Sequence, residues 1–264
     1  MEVVINGKKT ETSCCYLQEL VAEQQGQTLL YNGYQTEENL PLQAGDQIVI
    51  LPRGVMPDRD SWESMLAARH TPPVHERIRQ GAVAIAGLGG LGSHIAVMLA
   101  RAGIGKLLLV DFDTVEISNL NRQHYTVRHL GMPKTEALAM QLQEINPFVQ
   151  IMTRQVTVCA ENAAQLFADW PLVCEAFDNP AAKAMLVNTL LTDGQKQIVA
   201  ASGMAGYGSA NQIQTVRKIK GLYLCGDEKS EAAVGQSLMA PRVQICAGHQ
   251  ANMVLRLLLG LTAP

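Results

Sequence analysis

Several features that mark specialised classes of protein are scarce or missing in this 264-residue chain. No uninterrupted apolar run reaches the roughly 18 residues that a membrane-spanning helix needs. The first five residues have neither the basic region nor the small-residue cleavage site of a secretory signal peptide. Charge excess is missing too, because 21 Lys and Arg stand against 24 Asp and Glu, whereas proteins that coat nucleic acid tend to be strongly basic. The sequence therefore predicts a cytoplasmic protein with no membrane and no nucleic-acid partner.

Cysteines are present, but they lack the spacing of a metal or redox site. No two of them form a C-x-x-C pair, which argues against a zinc ribbon and against a thioredoxin-type site. Cys174 lies in an apolar run, where cysteine acts as a small buried hydrophobic residue. The six thiols are Cys14, Cys15, Cys159, Cys174, Cys225 and Cys246. We expect free thiols and no zinc.

The first 57 residues differ in pattern from the rest of the chain. Short strands flank Asn6-Gly7, the strongest short hairpin signal. A helical stretch at residues 17–22 and strands at 28–31 and 47–51 complete a small α+β unit. At roughly 100–200 residues per domain, the remaining length leaves room for one medium domain.

Residues 58–80 are predicted as a linker, with a helical stretch at 58–69 that Pro72-Pro73 closes. From residue 81 strands alternate with helices. Short apolar strands in such an alternation are typical of a parallel sheet covered on both faces. Residues 81–264 are therefore predicted as a doubly wound, Rossmann-like α/β domain. The predicted strands are 82–86, 106–110, 149–158, 172–177 and 197–201, and the predicted helices are 93–102, 134–145, 161–169, 181–191 and 243–259.

A glycine-rich segment lies between the first strand and the first helix of this domain. Gly87, Gly89 and Gly92 fit the pattern G-x-G-x-x-G, and Gly90 lies within it. Glycines let the backbone close on a phosphate, and the helix N-terminus offers free N–H donors. Asp111 ends the next predicted strand and is suited to accept hydrogen bonds from ribose hydroxyls. These residues predict a nucleotide site, and they fit NAD and ATP equally well.

The polar segment after Asp111 favours ATP. An Arg side chain can bind two phosphate oxygens at once and a Lys adds a point charge, whereas a neutral nicotinamide ring needs neither. An oxidoreductase that uses a nicotinamide cofactor stays an alternative. The candidate residues of this segment are Asp113, Ser118, Asn119, Asn121, Arg122 and Lys134.

Asp178 and Asn179 follow the predicted strand 172–177 and precede a helix. Ligands of open α/β sheets bind at the carboxyl ends of the strands. Mg²⁺ commonly takes one or two protein carboxylates and completes its shell with phosphate and water. Asp178 is therefore a candidate magnesium ligand, with the N-cap of the following helix as its alternative role.

Four segments together carry a family resemblance. They are GLGGLGS at 87–93, LVDFDTVEISNLNRQ at 109–123, GMPK at 131–134 and EAFDNP at 175–180. They resemble the ThiF/MoeB/HesA family of carrier-protein adenylyltransferases, whose core the ubiquitin-activating enzymes share. The segments ARAGIGKL, AASGMAGYG and LMAPRVQICAGHQANMVLRL are similar to the ThiF branch of thiamine biosynthesis. The first 57 residues resemble the carrier ThiS, which has a ubiquitin-like β-grasp fold.

The resemblance implies a function and a set of site residues. Members of the family adenylate the C-terminal glycine of a ubiquitin-like sulfur carrier, which prepares it for thiocarboxylate formation. Carried over by motif, Gly90 lies against the phosphates, Asp111 holds the ribose and Asp178 binds Mg²⁺ with Asn179 beside it. The triphosphate falls to Ser118, Asn119, Asn121, Arg122 and Lys134. An upstream arginine, for which Arg69 is the candidate and Arg77 and Arg79 are alternatives, implies a homodimer because relatives extend it into the neighbouring subunit.

The chain departs from the family pattern in three places. It lacks the two C-x-x-C pairs that bind zinc in many members. The family's cysteine that forms a persulfide link has Cys225 as its candidate counterpart, with a free loop thiol as the favoured alternative. The ThiS-like unit continues into the rest of the chain instead of ending in Gly-Gly, so we expect a docking or regulatory copy. A non-catalytic carrier-binding module and the tRNA-modifying dehydratase branch are the other functions to weigh.

Overall fold

The computed structural model describes residues 1–21, 27–192 and 194–264, and it divides into two compact units, Met1–Arg77 and Ile78–Pro264. Ala22, the last residue of the first predicted helix, lies outside the described residues. The division falls within a helix, and the predicted boundaries at residues 57 and 80 stay a prediction.

The amino-terminal unit is built on a five-stranded sheet. Its strands have the order β2-β1-β5-β3-β4, with β1 and β5 parallel in the centre and the other neighbours antiparallel. Asn6 and Gly7 both have positive φ, which gives the tight turn between β1 and β2 that the sequence predicted. This is the predicted β-grasp arrangement. The elements are β1 (Glu2–Ile5), β2 (Lys8–Glu11), α1 (Leu17–Val21), β3 (Gln27–Tyr31), β4 (Tyr34–Gln35) and β5 (Gln47–Pro52).

Two helices follow, α2 (Arg59–His70) and α3 (Pro72–Arg79). The Asp58 carboxylate caps α2 by accepting a hydrogen bond from the Ser61 N–H. Helix α2 covers the helical stretch predicted at residues 58–69 and ends at His70, just before the prolines at 72 and 73. A second helix, which was not predicted, begins at Pro72, since a proline in the first turn of a helix has no N–H that needs an acceptor.

The carboxy-terminal unit alternates strands and helices as predicted. Helix α4 begins three residues earlier than predicted, so that the second half of the glycine segment belongs to its first turn. The hairpin of β11 and β12 was not predicted. The elements are β6 (Ala82–Ala86), α4 (Gly90–Arg101), β7 (Lys106–Asp111), α5 (Lys134–Ile145), β8 (Gln150–Gln155), α6 (Ala160–Leu166), β9 (Leu172–Glu175), α7 (Pro180–Leu191), β10 (Gln197–Ala201), β11 (Gln214–Ile219), β12 (Leu222–Gly226) and α8 (Ala240–Leu258).

These strands form one sheet of order β11-β12-β10-β9-β6-β7-β8, in which only β11 is antiparallel to its neighbour. Alternate residues of β6 belong to two hydrophobic cores, Val83 to the core that includes α4, α5 and α8, and Ala84 to the core that includes α6 and α7. The predicted doubly wound, mostly parallel fold is confirmed. None of the helices in the described part of the chain is both long and apolar enough to cross a membrane.

The strand order reverses between β6 and β9. From β6 the chain moves outward through β7 and β8 on one side, and then returns to β9 and continues through β10 and β12 on the other. Ligands of such sheets bind in the crevice at the carboxyl ends of the strands where the order reverses. The loops after β6, β7 and β9 are therefore where a site is expected.

Candidate functional site

The loop after β6 is a tight turn that only glycine permits. Gly87 has φ +92°, and its N–H donates to the Val110 carbonyl oxygen at 2.9 Å. A Cβ on Gly92 would lie 1.8 Å from the Gly87 carbonyl oxygen, which is a backbone atom that cannot move aside. The turn therefore brings the N-terminus of α4 against the end of β6, as a phosphate-binding loop requires.

Asp111 joins this loop to the segment after β7. Its side chain is buried, and its Oδ2 atom accepts a hydrogen bond of 2.6 Å from the Leu88 N–H. Its Oδ1 atom accepts one of 2.8 Å from the Asp113 N–H. The carboxylate fixes the two loops at the edge of the sheet where the sequence predicts the ribose.

Lys134, in the first turn of α5, is held beside Asp113. Its side chain is only 6% exposed, and its ammonium lies 2.8 Å from Asp113 Oδ2. The Tyr125 hydroxyl donates to the Leu88 carbonyl oxygen at 2.8 Å, and burial raises the pKa of this phenol. A buried cation, a carboxylate and the glycine loop are thereby brought within one hydrogen-bonded group.

Arg122 is held by residues of its own loop. Its Nη1 atom donates to the Ser118 carbonyl oxygen at 3.0 Å and to Asn121 Oδ1 at 2.8 Å. Asn119 stabilises the same turn, since its Oδ1 atom accepts the Glu116 N–H. A Cβ on Gly90 would lie 3.6 Å from Arg122 Cγ, so the arginine is next to the glycine loop. In this structure Ser118, Asn119 and Asn121 hold the loop that carries the guanidinium.

Two residues of α4 hold the loop that carries Arg122 through hydrogen bonds. Ser93 Oγ donates to the Gly89 carbonyl oxygen at 2.7 Å and accepts the His124 N–H at 3.0 Å. His94 Nε2 lies 3.1 Å from the Arg122 carbonyl oxygen, and burial lowers the pKa of this imidazole. A neutral His94 that carries its proton on Nε2 donates to that carbonyl, so Ser93 and His94 position the Arg122 loop.

Asp178 and Asn179 lie at the same edge, after β9. A Cβ on Gly87 would lie 2.8 Å from the Ala176 carbonyl oxygen, which places the end of β9 against the glycine loop. Asn179 is the N-cap of α7, since its side chain accepts the Ala182 N–H at 3.0 Å. The alternative role of Asp178 as that N-cap was therefore wrong, because the cap is one residue later. The Asp178 carboxylate is exposed at the strand end.

Two further candidate residues, Arg69 and Cys225, do not belong to the loops described above. Arg69 is exposed in the last turn of α2, which belongs to the amino-terminal unit. Cys225 is a buried residue of β12, and burial raises the pKa of its thiol to about 11. The expectation of a loop thiol was wrong, because the segment around Cys225 pairs with β10 and β11 inside the sheet. Cys174 is buried in β9, as predicted.

The residues gathered here fit a nucleotide. The Cβ distances at Gly92 show a loop with no room for side chains, and the buried Gln123 Oε1 atom beside it has no hydrogen-bond partner among the described residues. Within the described part of the chain, no three His, Cys, Asp or Glu side chains cluster as a metal site. A lone carboxylate such as Asp178 still fits Mg²⁺, because phosphate and water supply its remaining ligands.

Sequence reasoning missed several residues of this arrangement. Tyr125, His94 and Ser93 contact the loops through hydrogen bonds, and no spacing in the sequence signals those contacts. Gln123 belongs to the quoted segment 109–123, but its burial beside Gly89 depends on how the loop folds back. The cations and the glycine loop, in contrast, carry their chemistry in their residue types.

Comparison with known proteins gives matches over both units. The model of the ThiF family matches residues 64–264, and that of a ThiS-like ubiquitin matches residues 1–54. Ubiquitin-like modifier-activating enzyme 5 of Branchiostoma floridae is 36% identical over 174 residues, which are 61% of this chain and 42% of that protein. Adenylyltransferase and sulfurtransferase UBA4 of Candida glabrata is 36% identical over 56% of this chain and 34% of that protein. The chain thus spans less than half the length of these curated relatives.

Solved structures with the same fold are more distant in sequence. The tRNA N6-threonylcarbamoyladenosine dehydratase TcdA of E. coli, in complex with ATP, superposes with a TM-score of 0.69 at 22% identity. The match covers 78% of this chain and 97% of that chain. At this level of identity the likeness shows the fold alone.

Proposed function

The chain belongs to the ThiF family, and from that premise we propose that it is an ATP-dependent adenylyltransferase. Its substrate is the C-terminal carboxylate of a ubiquitin-like sulfur carrier protein. The observation that carries the proposal is the hydrogen-bonded group formed by the glycine loop, Asp111, Asp113 and Lys134, with Arg122 beside it. A group of this kind supplies N–H donors and two cations at one edge of the sheet, as a triphosphate requires.

The reaction needs little covalent chemistry from the protein. A carboxylate oxygen of the carrier attacks the α-phosphorus of ATP, and the bond to pyrophosphate breaks, leaving an acyl-adenylate. Negative charge moves onto the leaving pyrophosphate, and Arg122 and Lys134 stabilise that charge from fixed positions. Asp111 accepts the Leu88 N–H and thereby holds the glycine loop in position beside the ribose. Mg²⁺, held by Asp178, would neutralise phosphate oxygens.

The carrier is proposed to be of the ThiS type, in thiamine (thiazole) biosynthesis. Support comes from the ThiS-like match in the same chain and from the ThiF-type segments of the sequence. The fused unit continues past Arg53-Gly54 into α2, so it has no free Gly-Gly carboxylate, and we propose that it docks or regulates. The active species is proposed to be a homodimer in which Arg69 of each subunit reaches the other subunit's site.

Carrier-dependent exchange of labelled pyrophosphate into ATP tests this function. Arg122→Ala and Asp178→Asn should each abolish exchange and leave the unfolding midpoint unchanged. Arg128→Ala and Asp169→Asn, which change exposed residues of the same types elsewhere in the unit, should exchange at the wild-type rate.

Two results would contradict the assignment. Near wild-type exchange in Arg122→Ala or Asp178→Asn would show that the site residues are wrong. ATP binding without exchange, for every Gly-Gly carrier tried, would favour a non-catalytic carrier-binding module.

A further inference from the structure

A fully buried carboxylate lies at the carboxyl end of β9, the strand that leads to Asp178. Glu175 is the last residue of β9, and its side chain is 0% exposed. It lies opposite Ala86, the last residue of β6, which directly precedes the glycine loop. Glu175 is therefore inside the sheet, at the edge where the nucleotide site is proposed, and the proposed reaction makes no use of it.

Glu175 forms an ion pair with Lys183 of α7. The Lys183 ammonium lies 3.1 Å from Glu175 Oε1 and 3.0 Å from Oε2, and the lysine side chain is 22% exposed. Taking two charges out of water costs free energy, and replacing such a pair by apolar side chains of similar volume is often neutral or stabilising. Stability alone therefore does not account for a carboxylate at the end of an otherwise apolar strand.

Glu175 fixes the backbone immediately before Asp178. Its Oε1 atom accepts the Phe177 N–H at 2.7 Å, and the Ala201 N–H at the end of β10 also donates to the carboxylate. The backbone of Glu175 is held in turn, because Gln250 Nε2 of α8 donates to its carbonyl oxygen at 3.0 Å. The residue before Asp178 is thereby tied to the ends of two strands through one side chain.

Lys183 fixes the backbone immediately after Asp178. Its own N–H donates to the carbonyl oxygen of Asn179, the N-cap of α7, at 3.0 Å. Its ammonium therefore ties the first turn of α7 back to the end of β9. Asp178 is exposed between these two anchors, so the direction of its side chain depends on the backbone on either side. The single ion pair of Glu175 and Lys183 holds both sides.

We propose that Glu175 and Lys183 are positioning residues that hold Asp178 in the orientation in which its carboxylate binds Mg²⁺ beside ATP. This inference rests on the ATP-dependent function proposed above. Carboxylates that bind a metal depend on neighbours that orient them, and loss of such a neighbour commonly lowers metal affinity by roughly 10–100-fold. Lys183 also neutralises the charge of Glu175, which would otherwise repel the phosphates at this edge of the sheet.

Calorimetry on the full chain tests the proposal. The probe is a non-hydrolysable ATP analogue, titrated once with excess Mg²⁺ and once with a chelator and no divalent cation. We expect the wild type to bind the analogue at least roughly tenfold more tightly with Mg²⁺, and Asp178→Asn to lose that gain. Glu175→Gln and Lys183→Met should lose most of it too, whereas their affinity without metal should stay at the wild-type value. In pyrophosphate exchange, both should need roughly tenfold more Mg²⁺ for the half-maximal rate.

Matched variants separate positioning from stability. Lys196→Met removes another buried lysine of the same unit, whose ammonium donates to the Phe167 and Ala168 carbonyl oxygens, and it should destabilise the unit but keep the gain from Mg²⁺. Lys183→Arg keeps a cation beside Glu175 and should keep most of the gain. If a single variant does not fold, Glu175→Leu/Lys183→Met leaves no unpaired buried charge, and it should fold and still lose the gain.

The possible failures are distinguishable. A gain from Mg²⁺ of wild-type size in Glu175→Gln or in the double variant overturns the proposal, and so does an equal loss of the gain in Lys196→Met. If such a result accompanies carrier-dependent exchange by the wild type, the adenylyltransferase function stands and only the positioning role is wrong. Loss of the gain in the variants of the pair, with no exchange by the wild type for any carrier, supports the positioning role and contradicts the adenylyltransferase function.

Discussion

The buried carboxylate of Asp111 provides a sharp test of how the site is built. Both of its oxygens accept backbone N–H groups, at 2.6 Å from Leu88 and 2.8 Å from Asp113. Asp111→Asn keeps the shape of the side chain but replaces one acceptor with an NH₂ group. Whichever way the amide is turned, a donor then faces one of the two backbone N–H donors.

The size of the effect follows from the hydrogen bonds. The variant loses one charge-assisted bond and leaves a buried N–H without an acceptor, which together cost about 2–4 kcal/mol in the free energy of unfolding. Such a loss is a large part of the roughly 5–15 kcal/mol that stabilises an ordinary domain. Because the Leu88 N–H belongs to the glycine loop, affinity for ATP should fall as well, by roughly tenfold or more.

Tryptophan fluorescence can follow the unfolding of the carboxy-terminal unit, to which Asp111 belongs. The chain has two tryptophans, and a Trp62→Phe background leaves Trp170, which is buried in the carboxy-terminal unit. Urea unfolding is followed through Trp170, and affinity for an ATP analogue is measured by calorimetry. Glu144→Gln makes the same chemical change at an exposed position of α5 and serves as the control. If Asp111→Asn stays within about 0.5 kcal/mol of that control, the carboxylate does not hold the loops together and the reasoning is refuted.

Four other variants test separate parts of the structure, with Lys106→Met as a control for one of them. Gly92→Ala should lower the free energy of unfolding by about 1–3 kcal/mol and remove ATP binding, since the new Cβ would lie 1.8 Å from the Gly87 carbonyl oxygen. Gly248→Ala, in α8, should instead stabilise the protein by about 1 kcal/mol, because the new Cβ would have no atom within 4 Å outside its own helix and chain neighbours, and urea unfolding of both variants distinguishes the two cases. Lys134→Met should reduce pyrophosphate exchange by roughly 100-fold or more, whereas the exposed Lys106→Met should not, and equal rates would contradict the role of Lys134. Burial opposes ionisation of Asp227, but hydrogen bonds from Ser230 and Lys229 and the charge of Arg242 outweigh it and lower its pKa to about 2. Because the pKa of Asp227 is lower in the folded protein than its ordinary value of 3.8, the ionised carboxylate stabilises the fold above pH 3.8, and this stabilisation is lost as the pH falls towards 2. Over that range the wild type should lose more stability than Asp227→Asn. Parallel pH profiles of the two proteins would count against the ion pair of Asp227 and Arg242.

Much of the fold was predictable because local chemistry and periodicity agreed. Short apolar strands alternated with helices, and the Asn6-Gly7 pair predicted a hairpin that the structure confirms, with Ile5 opposite Lys8. The hairpin of β11 and β12 escaped prediction for a physical reason. Strand β11 is an edge strand with mostly exposed polar residues, so it has no apolar alternation, and only its pairing with β12 makes it a strand.

The candidate site was predictable where residue type alone carries the chemistry. Gly87 and Gly92 are required by the turn, and Arg122 and Lys134 are the cations that a polar loop beside a glycine turn indicates. Which of two adjacent residues caps α7 was not predictable, because it depends on where the helix begins. The burial of Cys225 depends in the same way on the neighbours of β12 in the sheet.

The sequence by itself determined the two fold types, the position of the nucleotide loop and the cations beside it, because each depends on residues that are close together in the chain. Only the tertiary structure decided which groups are buried against one another. Asp111 meets Leu88 across 23 residues, and Arg242 meets Asp227 across 15. The number of residues between the two members of either pair does not predict their contact. The packing of strands and helices brings them together, and the local backbone does not. The buried networks that position the loops follow from that packing.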